Sequence, residues 1–161
     1  MNIEQYNNCV DKYADGLYRF ILKNIKNRDI ARDIVQDSYE KLWKKVNDVS
    51  YDKVKSYLFT TAYHTMIDTI RKDRNMEKID KINPDGYSHE QQYSDLQRIL
   101  HEALDKLPEI QRAVILLRDY EGYSYREIAE MTGLNETQVK VYIYRGRVFL
   151  KSYIVSIENV I

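Results

Sequence analysis

Helix-breaking residues are scarce in this 161-residue sequence, which has two prolines and five glycines. That scarcity, with apolar residues at helical spacing almost throughout, predicts an all-α fold. The one cysteine, Cys9, excludes an internal disulfide and fits a reducing compartment. No apolar run reaches about 18 residues, so no membrane insertion is expected. The start MNIEQYNNCVDKYADG is too polar for a signal peptide, and a cytoplasmic protein is expected. His64, His89 and His101 are scattered without ligand spacing, and no nucleophile–base set or nucleotide loop is present. Neither a metal, nor a cofactor, nor enzymatic activity is therefore expected. An excess of charge is lacking too: 25 basic and 25 acidic residues give a net charge of zero. That balance excludes a generally basic nucleic-acid coat. Duplex binding draws on phosphate neutralisation, with a salt slope of about 0.9 per contacted phosphate. A neutral chain should grip free DNA poorly unless it dimerises or something else holds it there.

What is present is a series of amphipathic helices. The first covers Glu4 to Lys26, with Val10, Tyr13, Leu17, Phe20 and Ile21 as its apolar stripe. The second runs from Asp29 to Val46 and the third from Lys53 to Arg74. EKIDKINPDGYSHEQQYS, residues 77–94, is polar and holds Pro84 beside Asp85-Gly86; it reads as a flexible linker. A helix over Asp95–Lys106 follows, and Leu107-Pro108-Glu109 opens another that ends at Glu121-Gly122. The expected layout is two small helical domains, 1–76 and 95–161, joined by the linker 77–94, with no further regulatory domain.

The last stretch carries the sharpest signals. Ser124 followed by Glu127 is a capping box, and Asn135 with Gln138 repeats it in weaker form. Between them Thr132-Gly133 ends the first helix at a residue free to turn left-handed. In the second helix Val139, Ile143, Gly146 and Leu150 fall on one stripe, and Thr137, Lys140, Val141, Tyr144 and Arg145 on the other side. That is the pattern of a helix-turn-helix, whose second helix enters the major groove. Helix–glycine–helix pairs are also common in all-α proteins with no such role. Charge favours DNA: no acidic residue lies between Glu136 and Glu158, while Lys140, Arg145, Arg147 and Lys151 do.

Two earlier helices add to this. In RDIARDIVQDSYEKLWKK, Asp33, Gln36, Asp37, Glu40 and Lys44 share about one third of the circumference. A solvated face is the commoner meaning of such a stripe. Tyr39, Leu42, Trp43 and Val46 are expected to pack on neighbouring helices. In KSYLFTTAYHTMIDTIRKDRN, rings and hydroxyls are followed by Arg71, Lys72 and Arg74, as in surfaces that bind single-stranded DNA. Tyr57, Leu58 and Met66 are assigned to the core. His64, with Thr60, Thr61 and the terminal basic residues, is kept for DNA.

An acidic glutamine-bearing helix, an aromatic–basic helix and a helix-turn-helix, in that order, resemble the bacterial RNA polymerase sigma factors of the sigma-70 family, extracytoplasmic-function (ECF) group. DIVQDSYEKLWKK at 33–45 is similar to the family's polymerase-binding helix. SYLFTTAYHTMIDTIRKDR at 56–74 is similar to its minus-ten helix, and residues 104–150, with LPEIQR, EGYSYREIA and RGR, to its minus-thirty-five domain. The resemblance implies that Asp33, Gln36, Asp37 and Glu40 meet the beta-prime clamp of core RNA polymerase. It assigns Thr60, Thr61, His64, Asp68, Arg71, Lys72 and Arg74 to minus-ten DNA, and Glu136, Thr137, Gln138, Lys140, Val141, Tyr144 and Arg145 to minus-thirty-five DNA. It places residues around Arg112, Leu116 and Asp119 near the surface offered to the beta flap, and implies an anti-sigma factor as a further partner and a monomer when free. This chain has His64 where the family often has asparagine, Tyr142 where arginine is frequent, and Gly146 in place of a usual alanine. The main alternative is a stand-alone helix-turn-helix regulator with an N-terminal sensing or interaction module, and a decoy that occupies polymerase without reading promoters is another.

Overall fold

The first helix begins where Asn2 and Gln5 cap one another: the Gln5 amide donates to Asn2 Oδ1 at 2.8 Å and the Asn2 amide to Gln5 Oε1 at 3.1 Å. In the computed structural model, which describes residues 1–76 and 95–160 and only the backbone of 74–76 and 158–160, this helix α1 spans Ile3–Ile25. It ends at Lys26 in the left-handed conformation (φ 62°), a position most side chains avoid. Asn27 at once caps α2, Arg28–Lys44, accepting from the Ile30 amide at 3.0 Å. A two-residue corner thus folds α2 back on α1. A 3₁₀ turn at Tyr51–Lys53 leads into α3, Val54–Met76. The expected linker, 77–94, lies outside the described residues.

Two compact units result, one built on α1–α3 and one holding most of the residues after 94. In the first, each helix packs on the other two. Leu17, Phe20 and Ile21 of α1 meet Ile34 and Leu42 of α2 and Leu58, Phe59 and Met66 of α3 in its buried core. The Phe20 and Phe59 ring centroids are 5.8 Å apart. Polar groups that share this interior are bonded, as burial requires. Asn24 Nδ2 donates to the Phe20 carbonyl and Ser38 Oγ to the Ile34 carbonyl, each at 2.8 Å. Tyr39 donates its hydroxyl to the Cys9 carbonyl at 2.8 Å, and Tyr6 donates to the Tyr39 carbonyl at 3.0 Å, pinning α1 to α2. Burial pushes the Cys9 thiol up from its ordinary pKa, away from the reactive thiolate.

The second unit starts with α4, Asp95–Lys106, with the bounds expected from the sequence. Pro108 directly precedes α5, Glu109–Ile115, which widens into a π-helical turn at Leu116–Tyr120, where the Glu121 amide reaches back to the Leu116 carbonyl at 3.0 Å. Gly122 (φ 78°) releases the chain into α6, Tyr125–Thr132. Gly133 (φ 80°) turns it into the long α7, Glu136–Val160, which packs on α4 and α5. The predicted all-α class holds: the described residues are helices and connections without a strand. Among them no helix is long and apolar enough to cross a membrane.

Candidate functional site

Three polar faces stand opposite the two cores. On α2 the helical repeat turns Ala31, Ile34, Ser38 and Leu42 inward and leaves Asp33, Gln36 and Glu40 exposed, with Asp37 half-buried. Asp37 pairs with Lys41 one turn on at 3.0 Å, a link that is weak in solvent. Trp43 departs from expectation. It is 47% exposed and lies beside the acidic face, its ring edge-on to Tyr6 with centroids 5.0 Å apart. α2 also ends two residues before Val46, whose carbonyl accepts from the Met1 ammonium at 3.1 Å. Burial, then the Glu40 charge, push the Tyr6 hydroxyl up, so it stays a neutral donor under the ring pair. The face therefore combines carboxylates, an amide and a half-open indole. Trp43 is the residue here that sequence patterning misses, since its half-open ring rests on Tyr6 of another helix.

On α3 the division is as clean. Leu58, Phe59, Ala62, Tyr63, Met66 and Ile67 are buried. Thr60 and Thr61 are half-buried, and His64, Asp68, Arg71 and Lys72 are exposed along one side. The side chain of Arg74 lies outside the described residues. Phe59 and Tyr63 are core, and Tyr57 is half-buried, so the aromatic run is no open stacking platform. His64 is the exposed ring of the group, edge-on to Tyr63 with centroids 5.5 Å apart. Thr65 and Thr69 turn their hydroxyls onto the Thr61 and Thr65 carbonyls at 3.0 and 2.9 Å.

In the second unit both capping boxes form. The Glu127 amide donates to Ser124 Oγ at 3.1 Å and the Ser124 amide to Glu127 Oε1 at 2.9 Å; the Gln138 amide donates to Asn135 Oδ1 at 2.8 Å and the Asn135 amide to Gln138 Oε1 at 3.0 Å. With Gly133 between them they fix a tight helix-turn-helix. Val139, Ile143, Gly146 and Leu150 are buried. Glu136, Thr137, Gln138, Lys140, Val141, Tyr144 and Arg145 are exposed, Tyr144 to 70%. A Cβ added at Gly146 would lie 2.1 Å from Ile115 Cδ1, so glycine lets α7 approach α5 closely.

Arg147, part of the basic run in sequence, is paired within its own unit. It grips both oxygens of Asp119, its Nε donating to Oδ2 at 3.1 Å. That bonding to Asp119, more than the partial burial opposes it, raises the guanidinium pKa further. Arg112 and Leu116, expected near a docking surface, are buried. Sequence patterning also misses Tyr125, over whose ring Arg118 and Lys140 both lie. Among the described residues no cluster of three or more His, Cys, Asp or Glu is placed to hold a metal.

The family model of sigma-70 region 2 matches residues 9–76, and that of sigma-70 region 4 matches residues 97–150. The chain is 36% identical over 141 residues to the RNA polymerase sigma factor SigV of Bacillus subtilis, covering 86% of this chain and 84% of that one. It is 31% identical over 128 residues to the ECF RNA polymerase sigma factor RpoE of Cereibacter sphaeroides, covering 76% and 71%. Among solved structures, the sigma factor RpoE of Bartonella quintana, in complex with the anti-sigma factor NepR, superposes with a TM-score of 0.78 at 25% identity, over 94% of this chain and 98% of that one.

Proposed function

Because the chain belongs to the sigma-70 family of RNA polymerase sigma factors, in the ECF group, and so directs promoter-specific transcription initiation with core polymerase, we propose how its three faces share that task. The α2 face of Asp33, Gln36, Asp37 and Glu40, with Trp43 as its apolar anchor, docks the beta-prime clamp of core polymerase. The α3 face of Thr60, Thr61, His64, Asp68, Arg71, Lys72 and Arg74 reads and opens minus-ten DNA. The exposed side of α7 reads minus-thirty-five DNA with Glu136, Thr137, Gln138, Lys140, Val141, Tyr144 and Arg145. Residues 1–76 and 95–161 act as separate domains in this scheme, and 77–94 joins them. Sigma factors are initiation factors, and the chemistry of RNA synthesis is the polymerase's; the chain has no catalytic role of its own and acts as a cytoplasmic monomer when free.

The observation that carries the proposal is that polar faces on α2, α3 and α7 are left open while the reverse side of each helix builds a core. Net zero charge fits this scheme, since polymerase supplies the affinity and spacing that the chain lacks alone. An anti-sigma protein is the natural antagonist, competing for the same open faces; the Bartonella relative is seen with such a partner.

Two expected results test the DNA faces. His64→Ala slows strand opening about tenfold, as loss of a stacking and edge contact to an unstacked base requires, while closed-complex formation stays near wild type. A strand-opening fluorescence assay separates the two steps, and equal slowing of both contradicts the assignment. Arg145→Ala lowers initiation about tenfold on promoters that carry the upstream element, and little on promoters without it. Run-off transcription on matched templates checks this, and an equal loss on both removes Arg145 from the reading face.

A further inference from the structure

Tyr125, the first residue of α6, is where basic side chains from two other elements converge. The Arg118 guanidinium carbon, from the π-helical turn, lies 4.4 Å from the ring centroid. Lys140 Nζ, from α7, lies 5.5 Å from it. The two cations are thus within about 10 Å of each other, roughly one screening length at moderate salt. Tyr125 also adds, through its hydroxyl, to the stabilisation of the Arg147 charge, behind the larger effect of Asp119. Asp119 answers Arg147 alone, with both oxygens engaged by it. Arg118 gives one N–H to the Tyr123 carbonyl at 3.0 Å, and neither Arg118 nor Lys140 has an ion pair among the described residues.

Two like charges held near one another without a counter-ion form a place for an anion. The ring makes the gathering tolerable, because the negative face of an aromatic attracts each cation. It also restricts two long side chains before any ligand arrives, so less rotamer freedom is lost on binding. Lys140 lies on the exposed side of α7 beside Val141 and Tyr144, and on the reading of α7 proposed above the anion for that face is the DNA backbone.

We propose that Tyr125 is a positioning residue for promoter binding: its ring holds Arg118 and Lys140 as a preset pair for backbone phosphates beside the upstream element. This rests on the assignment of α7 to minus-thirty-five DNA. Tyr125 itself need not touch a base, and the pair sets register and affinity rather than sequence preference.

The test uses holoenzyme, core polymerase plus this chain, on promoters with and without the upstream element across a salt series. Tyr125→Leu, which removes the ring, lowers association with the complete promoter about fivefold and makes the salt slope shallower by about one. Tyr125→Phe keeps the ring and stays within about twofold of wild type. Lys140→Ala adds little on top of Tyr125→Leu, and all variants match wild type on a template truncated before the upstream element, which lacks those phosphates as well. If Tyr125→Leu fails to fold, Arg118→Gln and Lys140→Gln carry the test, each expected to make the slope shallower by about one. The proposal is overturned if Tyr125→Leu, or that pair in its place, leaves affinity and slope unchanged, or if Phe fails as badly as Leu. Wild-type holoenzyme indifferent to the upstream element overturns the assignment of α7 itself, and this proposal with it.

Discussion

Asp33→Arg lowers the affinity for core RNA polymerase about a hundredfold or more while the circular-dichroism spectrum stays native. Asp33 is exposed on α2, opposite the buried Ala31, Ile34 and Leu42 side, and makes no ion pair among the described residues. A substitution at such a place shifts stability by only about 0.5 kcal/mol. At an interface the same change replaces an attraction to a basic partner by repulsion, and disrupting a desolvated charge pair costs about 2–5 kcal/mol. Asp37→Arg acts in the same direction, but it also breaks the 3.0 Å pair with Lys41, which makes Asp33 the cleaner probe. A titration of labelled chain with core polymerase reads both; affinity within a few-fold of wild type for Asp33→Arg would remove the acidic face from the interface.

Gly146→Val destabilises the second unit by about 3 kcal/mol, the upper part of the range for overpacking a filled core. The first added carbon falls 2.1 Å from Ile115 Cδ1 and 3.2 Å from Ile115 Cγ1. Rotating the end of Ile115 clears one of these atoms and not the other. Ile115 is fully buried, and Leu107 Cδ1 closes the same space at 3.8 Å. Helix propensity works the other way but returns less than about 1 kcal/mol. The decisive variant is the double one. Ile115→Ala alone costs about 2–5 kcal/mol through the cavity it leaves. Combined with Gly146→Val it removes three carbons where three are added, so the pair is less destabilised than the sum of the singles by about 2 kcal/mol or more. Urea unfolding followed by circular dichroism measures all three, and simple additivity would show that the close approach of α5 and α7 is not what glycine permits.

Wherever local rules set the outcome, the sequence was readable. Asn135 and Gln138 cap α7 because each satisfies an amide three residues away, and α4 runs from Asp95 to Lys106 as spacing predicts. The inward and outward stripes of α7 follow from the 100° step of a helix. Contacts between residues far apart in the chain were harder. Trp43 sits at the margin of the α2 stripe, and its ring, half-open, rests against Tyr6, 37 positions earlier. Arg147 reads as one more cation for DNA until Asp119, 28 positions earlier, is seen to hold it. The Tyr125 group draws on three elements, so no single helical pattern contains it. The π-helical turn at Leu116–Tyr120 has no signature in composition, since EIQRAVILLRDY, 109–120, reads as an ordinary helix. Rings in α3 were legible as core or surface only in part: Phe59 and Tyr63 are buried while their neighbour His64 is not.

Run-off transcription with core polymerase on a fragmented genomic library, with and without the chain, bears most directly on the claim that separate faces dock polymerase and read a promoter. Discrete transcripts that appear only with the wild-type chain, share an upstream and a minus-ten element, and vanish with Asp33→Arg are expected. Transcripts that persist with Asp33→Arg, or tight binding of the free chain to duplex sites with no gain in initiation, would contradict it.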